Sequence, residues 1–133
     1  MAKLSIDTLA RSTVAHVAFA ALAMGGWAAF ANRAHGPEHM ALAGAVQGAL
    51  SGAITVFLKR SLELMAARLP LALAWIVPPL VTCSAVLVIL RLVHALAGTP
   101  EIWKTIAVPY AVSSIYAWVY AFGLFLARRR ALA

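Results

Sequence analysis

Four long apolar runs, separated by short segments that hold nearly all the charges, most constrain how this 133-residue chain folds. They cover about residues 13–31, 40–58, 71–97 and 105–127. A helix crosses a bilayer core of about 30 Å with roughly 20 apolar residues, so each run is long enough to span. Charged residues make up 11% of the chain, against about 25% in soluble domains. The pattern predicts an all-α polytopic membrane protein: one four-helix transmembrane domain, arranged as two hairpins.

The basic residues are unevenly distributed between the two ends of these predicted spans. Lys3 and Arg11 precede the first run, and basic residues also follow the second and fourth runs. The latter are Lys59, Arg60, Arg128, Arg129 and Arg130. This positive-inside pattern predicts that both termini are cytoplasmic, and that these five residues form a basic cytoplasmic edge contacting anionic lipids. Since the charges serve this topology, nucleic acid is not expected as a partner despite a net charge of +7.

The N-terminal run has a second interpretation, because small residues follow a basic segment and an apolar stretch, as in a cleaved signal peptide. The apolar stretch in a signal peptide is usually about 7–15 residues long. This run exceeds that length, so we interpret it as an uncleaved first span.

The two predicted hairpins share a short Pro-Glu turn. Pro37 and Glu38 precede the second span, and Pro100 and Glu101 precede the fourth. A parallel internal repeat of a two-span unit would explain the match. Alternatively, proline and a carboxylate simply favour helix starts at this position. The sequence leaves both explanations open.

A stripe of glycines occupies one face of the second span. Gly44, Gly48 and Gly52 recur at every fourth position, although each interior glycine costs about 1 kcal/mol relative to alanine in a soluble helix. In lipid, small residues let two helix backbones approach closely. The stripe therefore predicts a helix-packing surface, either within the chain or between subunits.

Polar side chains accompany the apolar residues of the second and fourth spans. They are Gln47, Ser51, Thr55, Ser113, Tyr116 and Tyr120. The first three follow four-residue spacing beside the glycine stripe. A polar group inside a membrane needs a hydrogen-bond partner or water. The set is thus either a candidate polar path or hydrogen-bonded contact between helices.

The third span has prolines near its start and basic residues near its end. Pro78 and Pro79 predict a kink about a third of the way along the span. Arg91 and His94 lie three residues apart, which makes them a candidate anion contact for a phosphate or carboxylate. Arg91 could equally extend to the membrane interface without a ligand.

The sequence gives little indication of catalysis or of a bound cofactor. The four acidic residues lie at span borders on different sides, and no nucleophile or phosphate-binding motif is present. Cys83 is the single cysteine, so no intramolecular disulfide forms. His16 and His94 are predicted to differ in depth by roughly 25 Å, which excludes a shared haem iron. We expect no enzyme, no cofactor and no metal site.

The second and fourth spans both run through an aromatic residue into basic residues, in "VFLKRSLEL" at 56–64 and "FLARRR" at 125–130. In these stretches Phe57 precedes Lys59 and Arg60, and Phe125 precedes Arg128. With these residues, the layout of four spans in two similar hairpins resembles the GtrA-like membrane proteins.

This resemblance implies a small transport protein in a bacterial-type inner (plasma) membrane, namely a flippase or flippase accessory for polyprenyl-phosphate-linked sugars. The alternative is a non-catalytic accessory or assembly subunit of a larger membrane complex. Expected partners are membrane lipids and either further copies of the chain or another membrane protein. The first interpretation adds a lipid-linked substrate.

Overall fold

The computed structural model describes residues 6–133, with side chains from Val14 onward. The predicted anchor Lys3 lies outside the described residues, as does the side chain of Arg11. The described chain forms four α-helices and no strand: α1 (Ile6–Ala31), α2 (Pro37–Arg68), α3 (Val77–Leu96) and α4 (Ile102–Leu132). A short 3-10 helix, Arg33–His35, follows α1. All four helices are long and apolar enough to span a membrane, as predicted.

The third span begins later than its apolar run suggests. Residues 71–76 form turns, and α3 starts only at Val77. Pro78 and Pro79 therefore lie in the first turn of α3 and are buried, so the predicted kink inside a span is wrong. Backbone N–H groups in a first helical turn have no intrahelical acceptor, so prolines there remove no hydrogen bond.

Two of the helices are longer than the apolar runs that predict them. α2 has 32 residues and α4 has 31, which gives each a length of about 47 Å at 1.5 Å per residue. A bilayer core is about 30 Å thick. α2 continues beyond residue 58 through Arg68 because leucine, glutamate, alanine and arginine, which are good helix formers, dominate this segment.

The second helix is central to the bundle. α2 and α4 each contact the other three helices, whereas the described parts of α1 and α3 do not contact each other, and the most extensive contact is the one between α1 and α2. The hydrophobic core lies between α2, α3 and α4, and the part of α1 with described side chains supplies none of its members. The residues of this core are Ile54, Leu58, Leu62, Val86, Leu90, Ile106, Ala117 and Ala121.

Hydrogen bonds between helices mark the two ends of the bundle. At one end, which we call the Asn32 end, the Asn32 side chain bonds to Glu101 and Thr105. At the other, the Arg128 end, Nη1 of Arg128 donates to the carbonyl oxygens of Ala66 and Leu69 at 2.6 and 2.7 Å. The last carbonyls of a helix lack intrahelical donors, so Arg128 of α4 satisfies the end of α2.

Candidate functional site

The glycine stripe of α2 packs directly against α1. A methyl group on Gly25 of α1 would lie 2.8 Å from the Gly44 carbonyl oxygen, and one on Gly48 would lie 3.1 Å from the Ala21 carbonyl oxygen. Further along, Gly52 faces Val17. Residues further along α2 contact residues earlier in α1, so the two helices run antiparallel. Because α1 of the same chain covers the stripe, the stripe is not available as a subunit interface.

Four buried polar side chains form a continuous hydrogen-bonded series between α2 and α3, which we call the polar chain. Gln47 Nε2 donates to Ser51 Oγ at 2.9 Å. Gln47 Oε1 lies 2.8 Å from His94 Nε2, and His94 Nδ1 lies 2.8 Å from Thr99 Oγ1. The side chains of Gln47 and His94 are 0% exposed. The polar chain therefore has no contact with solvent at its two central members.

The positions of the protons in the polar chain follow from the amide of Gln47. Since its NH₂ group donates to Ser51, its oxygen faces His94, and an amide oxygen only accepts. His94 Nε2 thus carries the hydrogen, and Nδ1 of the neutral ring accepts from the Thr99 hydroxyl. This assignment holds for the amide orientation that places Gln47 Nε2 toward Ser51. With both ring nitrogens engaged, neutral His94 is fully hydrogen-bonded.

The six residues of the candidate polar path do not converge. Thr55 donates to the Ser51 carbonyl oxygen on its own helix at 2.8 Å. Tyr116 and Tyr120 stack on each other, with ring centroids 5.3 Å apart. Tyr120 donates to Glu63 Oε1 at 2.6 Å, and Ser113 is half-buried on α4. The structure therefore brings Gln47 together with Ser51, while the tyrosines belong to a separate contact with Glu63.

The candidate anion contact is not formed either. His94 is buried in the polar chain, whereas Arg91 is exposed and lies with its guanidinium carbon 5.4 Å from the centroid of the Trp103 ring. Residues three apart on a helix differ by about 60° around its axis. That angle is enough to place one side chain inside the bundle and the other outside it.

A second buried polar cluster links α1 to the start of α4, and the sequence analysis missed it. Asn32 Nδ2 donates to the Ala28 carbonyl oxygen and to Thr105 Oγ1, both at 2.8 Å. Asn32 Oδ1 accepts from the Glu101 backbone N–H at 3.1 Å. Asn32 and Thr105 are fully buried. The available sequence signal was an asparagine at the end of an apolar run. Nothing in the sequence identified its partner in α4.

A charged cluster lies on the exposed side of this link. Glu101 Oε1 is 3.1 Å from His35 Nε2, and Glu101 Oε2 is 3.1 Å from Lys104 Nζ. The hydrogen bonds from His35 and then Lys104, together with the positive charge of Lys104, lower the pKa of the Glu101 carboxyl. Glu101 is thus ionised at neutral pH, and it precedes α4 as its N-cap.

An exposed side of α4 carries an apolar concavity of about 500 Å³. Val112, Tyr116, Val119, Tyr120 and Gly123 contribute to its wall, and no atom lies within 4 Å of where a Gly123 side chain would begin. A separate recess of about 320 Å³ is lined by Arg60 and Glu63 of α2. The Tyr120–Glu63 hydrogen bond joins the two, so an apolar surface adjoins a charged one.

The predicted basic edge divides into two kinds of residue. Lys59, Arg60, Arg129 and Arg130 are exposed, whereas Arg128 is partly buried and bound to the end of α2. The four exposed cations are available to lipid phosphates or to a partner, and Arg128 has a structural role.

Nearly all buried polar groups have a partner within the chain. In the part of the chain with described side chains, Ser114 Oγ is the single buried side-chain N or O atom without a hydrogen bond. No three His, Cys, Asp or Glu side chains there lie together as a potential metal site. Comparison of the chain with protein-family models, with curated proteins and with solved structures gives no match.

Proposed function

We propose that the protein is a non-catalytic accessory subunit of a larger membrane assembly, inserted as two hairpins with both termini in the cytoplasm. The observation that carries the proposal is the closed polar chain. Gln47, Ser51 and His94 are buried between the helices, and they hydrogen-bond to one another and to Thr99. A path for a polar substrate needs such groups to face water.

The hydrophobic core supports the same proposal. Ile54, Leu58 and Leu90 are buried between the polar chain and the Glu63–Tyr120 contact. A polar solute following the bundle interior would have to displace these side chains. Burying an unpaired polar group costs roughly 1–3 kcal/mol in proteins, so this layer opposes passage.

The surface available to a partner is the apolar concavity of α4. Helices in lipid associate through close packing at small residues and through hydrogen bonds, and Gly123 leaves backbone uncovered there. Tyr116 and Tyr120 form a rigid stacked wall beside it. The partner helix is expected to come from another membrane protein or from a second copy of the chain. Membrane lipids cover the remaining surface, and nucleic acid has no part in this function.

Cysteine accessibility tests whether the interior is closed. Single cysteines replace Gln47, Ser51 or Thr55 in a Cys83→Ala background, and native membranes are treated with a membrane-impermeant thiol reagent. We expect no labelling at these three positions, while the control Ala34→Cys on the exposed segment at the Asn32 end is labelled from the side it faces. Labelling at positions 47 and 51 in membranes would show that water enters and would overturn the proposal.

Site-specific crosslinking tests the partner surface. A photoreactive amino acid at Val119 or at Gly123 is expected to yield a discrete protein adduct in native membranes. The matched control is Val88 of α3, an equally exposed apolar position on a different helix. Adducts to lipid alone at all three positions would contradict an assembly role. A dimer of this chain would identify the partner as a second copy.

Transport of a lipid-linked anion is the second candidate, and one observation favours it. The apolar concavity of α4 could hold a polyprenyl chain while Arg60, in the adjoining recess, meets its phosphate. This is the flippase activity that the GtrA-like resemblance implies. The test uses protein reconstituted into vesicles that contain a fluorescent polyprenyl phosphate. If the protein transports this lipid, translocation should be lost in Arg60→Gln and kept in Arg130→Gln. Translocation no faster than in protein-free vesicles would exclude this function.

A further inference from the structure

A recess of about 440 Å³ opens between α1 and α4 at the Asn32 end, and we propose that it binds the phosphate of an anionic glycerophospholipid. Arg33 and Lys104 supply the positive charge of the recess, and Trp27 and Phe30 supply its aromatic wall. This site is separate from the basic edge at the Arg128 end and does not depend on the proposed function.

Arg33 is held in position by its own helix end rather than by a carboxylate. Its guanidinium carbon lies 3.8 Å from the centroid of the Phe30 ring, and Nη1 donates to the Phe30 carbonyl oxygen at 2.9 Å. Ion pairs in the part of the chain with described side chains involve Glu101 with His35 or Lys104, and not Arg33. A guanidinium has five N–H donors. Arg33 is thus fixed and has donors available for a phosphate.

The charge balance of the recess matches a single phosphodiester. Lys104 is paired with Glu101 at 3.1 Å, so these two charges offset each other. The remaining full charge among the residues that line the recess is that of Arg33. A phosphodiester carries one negative charge, and a guanidinium binds phosphate oxygens in a paired geometry that an ammonium does not match. A glycerophospholipid with no positive headgroup leaves the site neutral.

The walls of the recess favour a lipid over a free phosphate. The Trp27 and Phe30 rings lie with centroids 5.9 Å apart, and the Trp27 indole N–H donates to the Lys104 carbonyl oxygen at 2.9 Å. The small residues Ala31, Ala34 and Ala107 also line the recess, and Glu101 adds the carboxylate that is paired with Lys104. Tryptophan at this position is typical of the membrane interface. An acyl chain can lie along the apolar wall, which inorganic phosphate cannot use.

The hydrogen bond between Asn32 and Thr105 makes the recess a preformed site. Asn32 and Thr105 join α1 to α4 immediately beside it, and the Trp27–Lys104 hydrogen bond crosses the same gap. Two helices fixed by two contacts keep Arg33 and Lys104 at a constant separation. Binding therefore requires little ordering of the protein, which favours affinity.

Quenching of Trp27 fluorescence by brominated lipids tests the site directly. The variant carries Trp75→Phe, Trp103→Phe and Trp118→Phe, so Trp27 is the only reporter, and it is reconstituted with brominated phosphatidylglycerol or phosphatidylcholine. We expect phosphatidylglycerol to be preferred about five-fold, as for one added charge interaction at a membrane surface. Arg33→Gln should reduce the preference to about one. Arg91→Gln, which removes another exposed arginine, should leave it unchanged.

Native mass spectrometry of the chain with all its tryptophans provides the second measurement. Retained phosphatidylglycerol should exceed retained phosphatidylcholine, and Arg33→Gln should abolish the excess. The proposal is overturned by a preference that survives Arg33→Gln, by equal loss in Arg91→Gln, or by no preference in the unsubstituted chain. Displacement of the lipid by millimolar inorganic phosphate would assign the recess to free phosphate and would also overturn it.

Discussion

The two ends of the bundle use different chemistry to provide hydrogen-bond partners for their helix ends. At the Asn32 end, short uncharged side chains are buried and bond to one another, as Asn32 does with Thr105. At the Arg128 end, long charged side chains reach exposed or partly buried acceptors, as Arg128 does with the carbonyl oxygens of α2. Helix ends need partners in both places. The Asn32 end obtains them by fixing helices together, and the Arg128 end leaves most cations exposed.

This difference indicates that the two halves of the bundle, which follow one another along the membrane normal, have different roles. The buried contacts of the Asn32 half determine which helices meet, because they have specific partners. The Arg128 half carries the apolar concavity of α4 and most of the exposed basic residues. Substitutions of buried residues in the first half should therefore affect stability more than substitutions of exposed residues in the second half.

The largest expected effect comes from adding a side chain where two backbones touch. Gly25→Val should destabilise the protein by about 3 kcal/mol, because overpacking of this kind costs 1–3 kcal/mol and more where backbone must move. The Gly25 methyl position lies 2.8 Å from a carbonyl oxygen. Gly123→Val is the control, since its position is empty. Unfolding in increasing concentrations of denaturing detergent measures the stability of both variants. Equal losses of stability would contradict the different roles proposed for the two halves.

Breaking the polar chain should have the next largest effect. His94→Leu leaves Gln47 Oε1 buried without a donor, which costs about 1–3 kcal/mol. The double variant Gln47→Leu/His94→Leu should lose less than the sum of the two single losses, because it removes both partners. Thermal melting in micelles tests this coupling. Strict additivity would show that the two residues do not depend on each other.

A smaller effect is expected at the other end. Arg128→Gln should cost about 1 kcal/mol, since it removes charge-assisted hydrogen bonds to Ala66 and Leu69 that are only partly buried. The neighbouring exposed Arg130 provides the control, and Arg130→Gln should change stability by less than about 0.5 kcal/mol. Denaturant unfolding curves of the two variants measure the difference. Equal stability of the variants would remove the structural role assigned to Arg128.

The smallest effect is the pH dependence of the Glu101 contacts. The pKa of Glu101 is lowered in the folded protein from an ordinary value of 4.5, so its contribution is present above that value and is lost as pH falls below it. Melting temperatures of the unsubstituted chain and of Glu101→Gln should differ at pH 6 and converge as the pH falls through the lowered pKa of Glu101. A difference that grows on acidification would reverse the assigned sign.

Sequence periodicity predicted helix faces better than it predicted their partners. The stripe of Gly44 and Gly48 was identified as a packing face, but only the structure showed that Gly25 of α1 covers it. His94 and Arg91 shared a predicted face, yet the bundle boundary falls between them. A helical repeat gives angles around one axis, and the positions of neighbouring axes depend on contacts far apart in sequence.

Composition predicted the spans but not where each helix begins. Pro78 looked like an interruption because the apolar run extends before it, whereas the chain turns through residues 71–76 and uses the prolines as a helix start. Asn32 was the harder case. Its amide serves two separate helices, and no local pattern encodes a partner 73 residues away.

That separation has a consequence for the order in which the chain is made. The backbone contact between Gly25 and Gly44 is available as soon as the first two helices exist, but the Asn32 amide has no Thr105 to bond until the fourth begins to emerge. At roughly 5–20 residues per second, a ribosome takes on the order of ten seconds to cover that distance. Throughout that interval water at the bilayer boundary must satisfy the groups of the Asn32 amide that are not bonded to Ala28, and insertion of the last helix ends the delay.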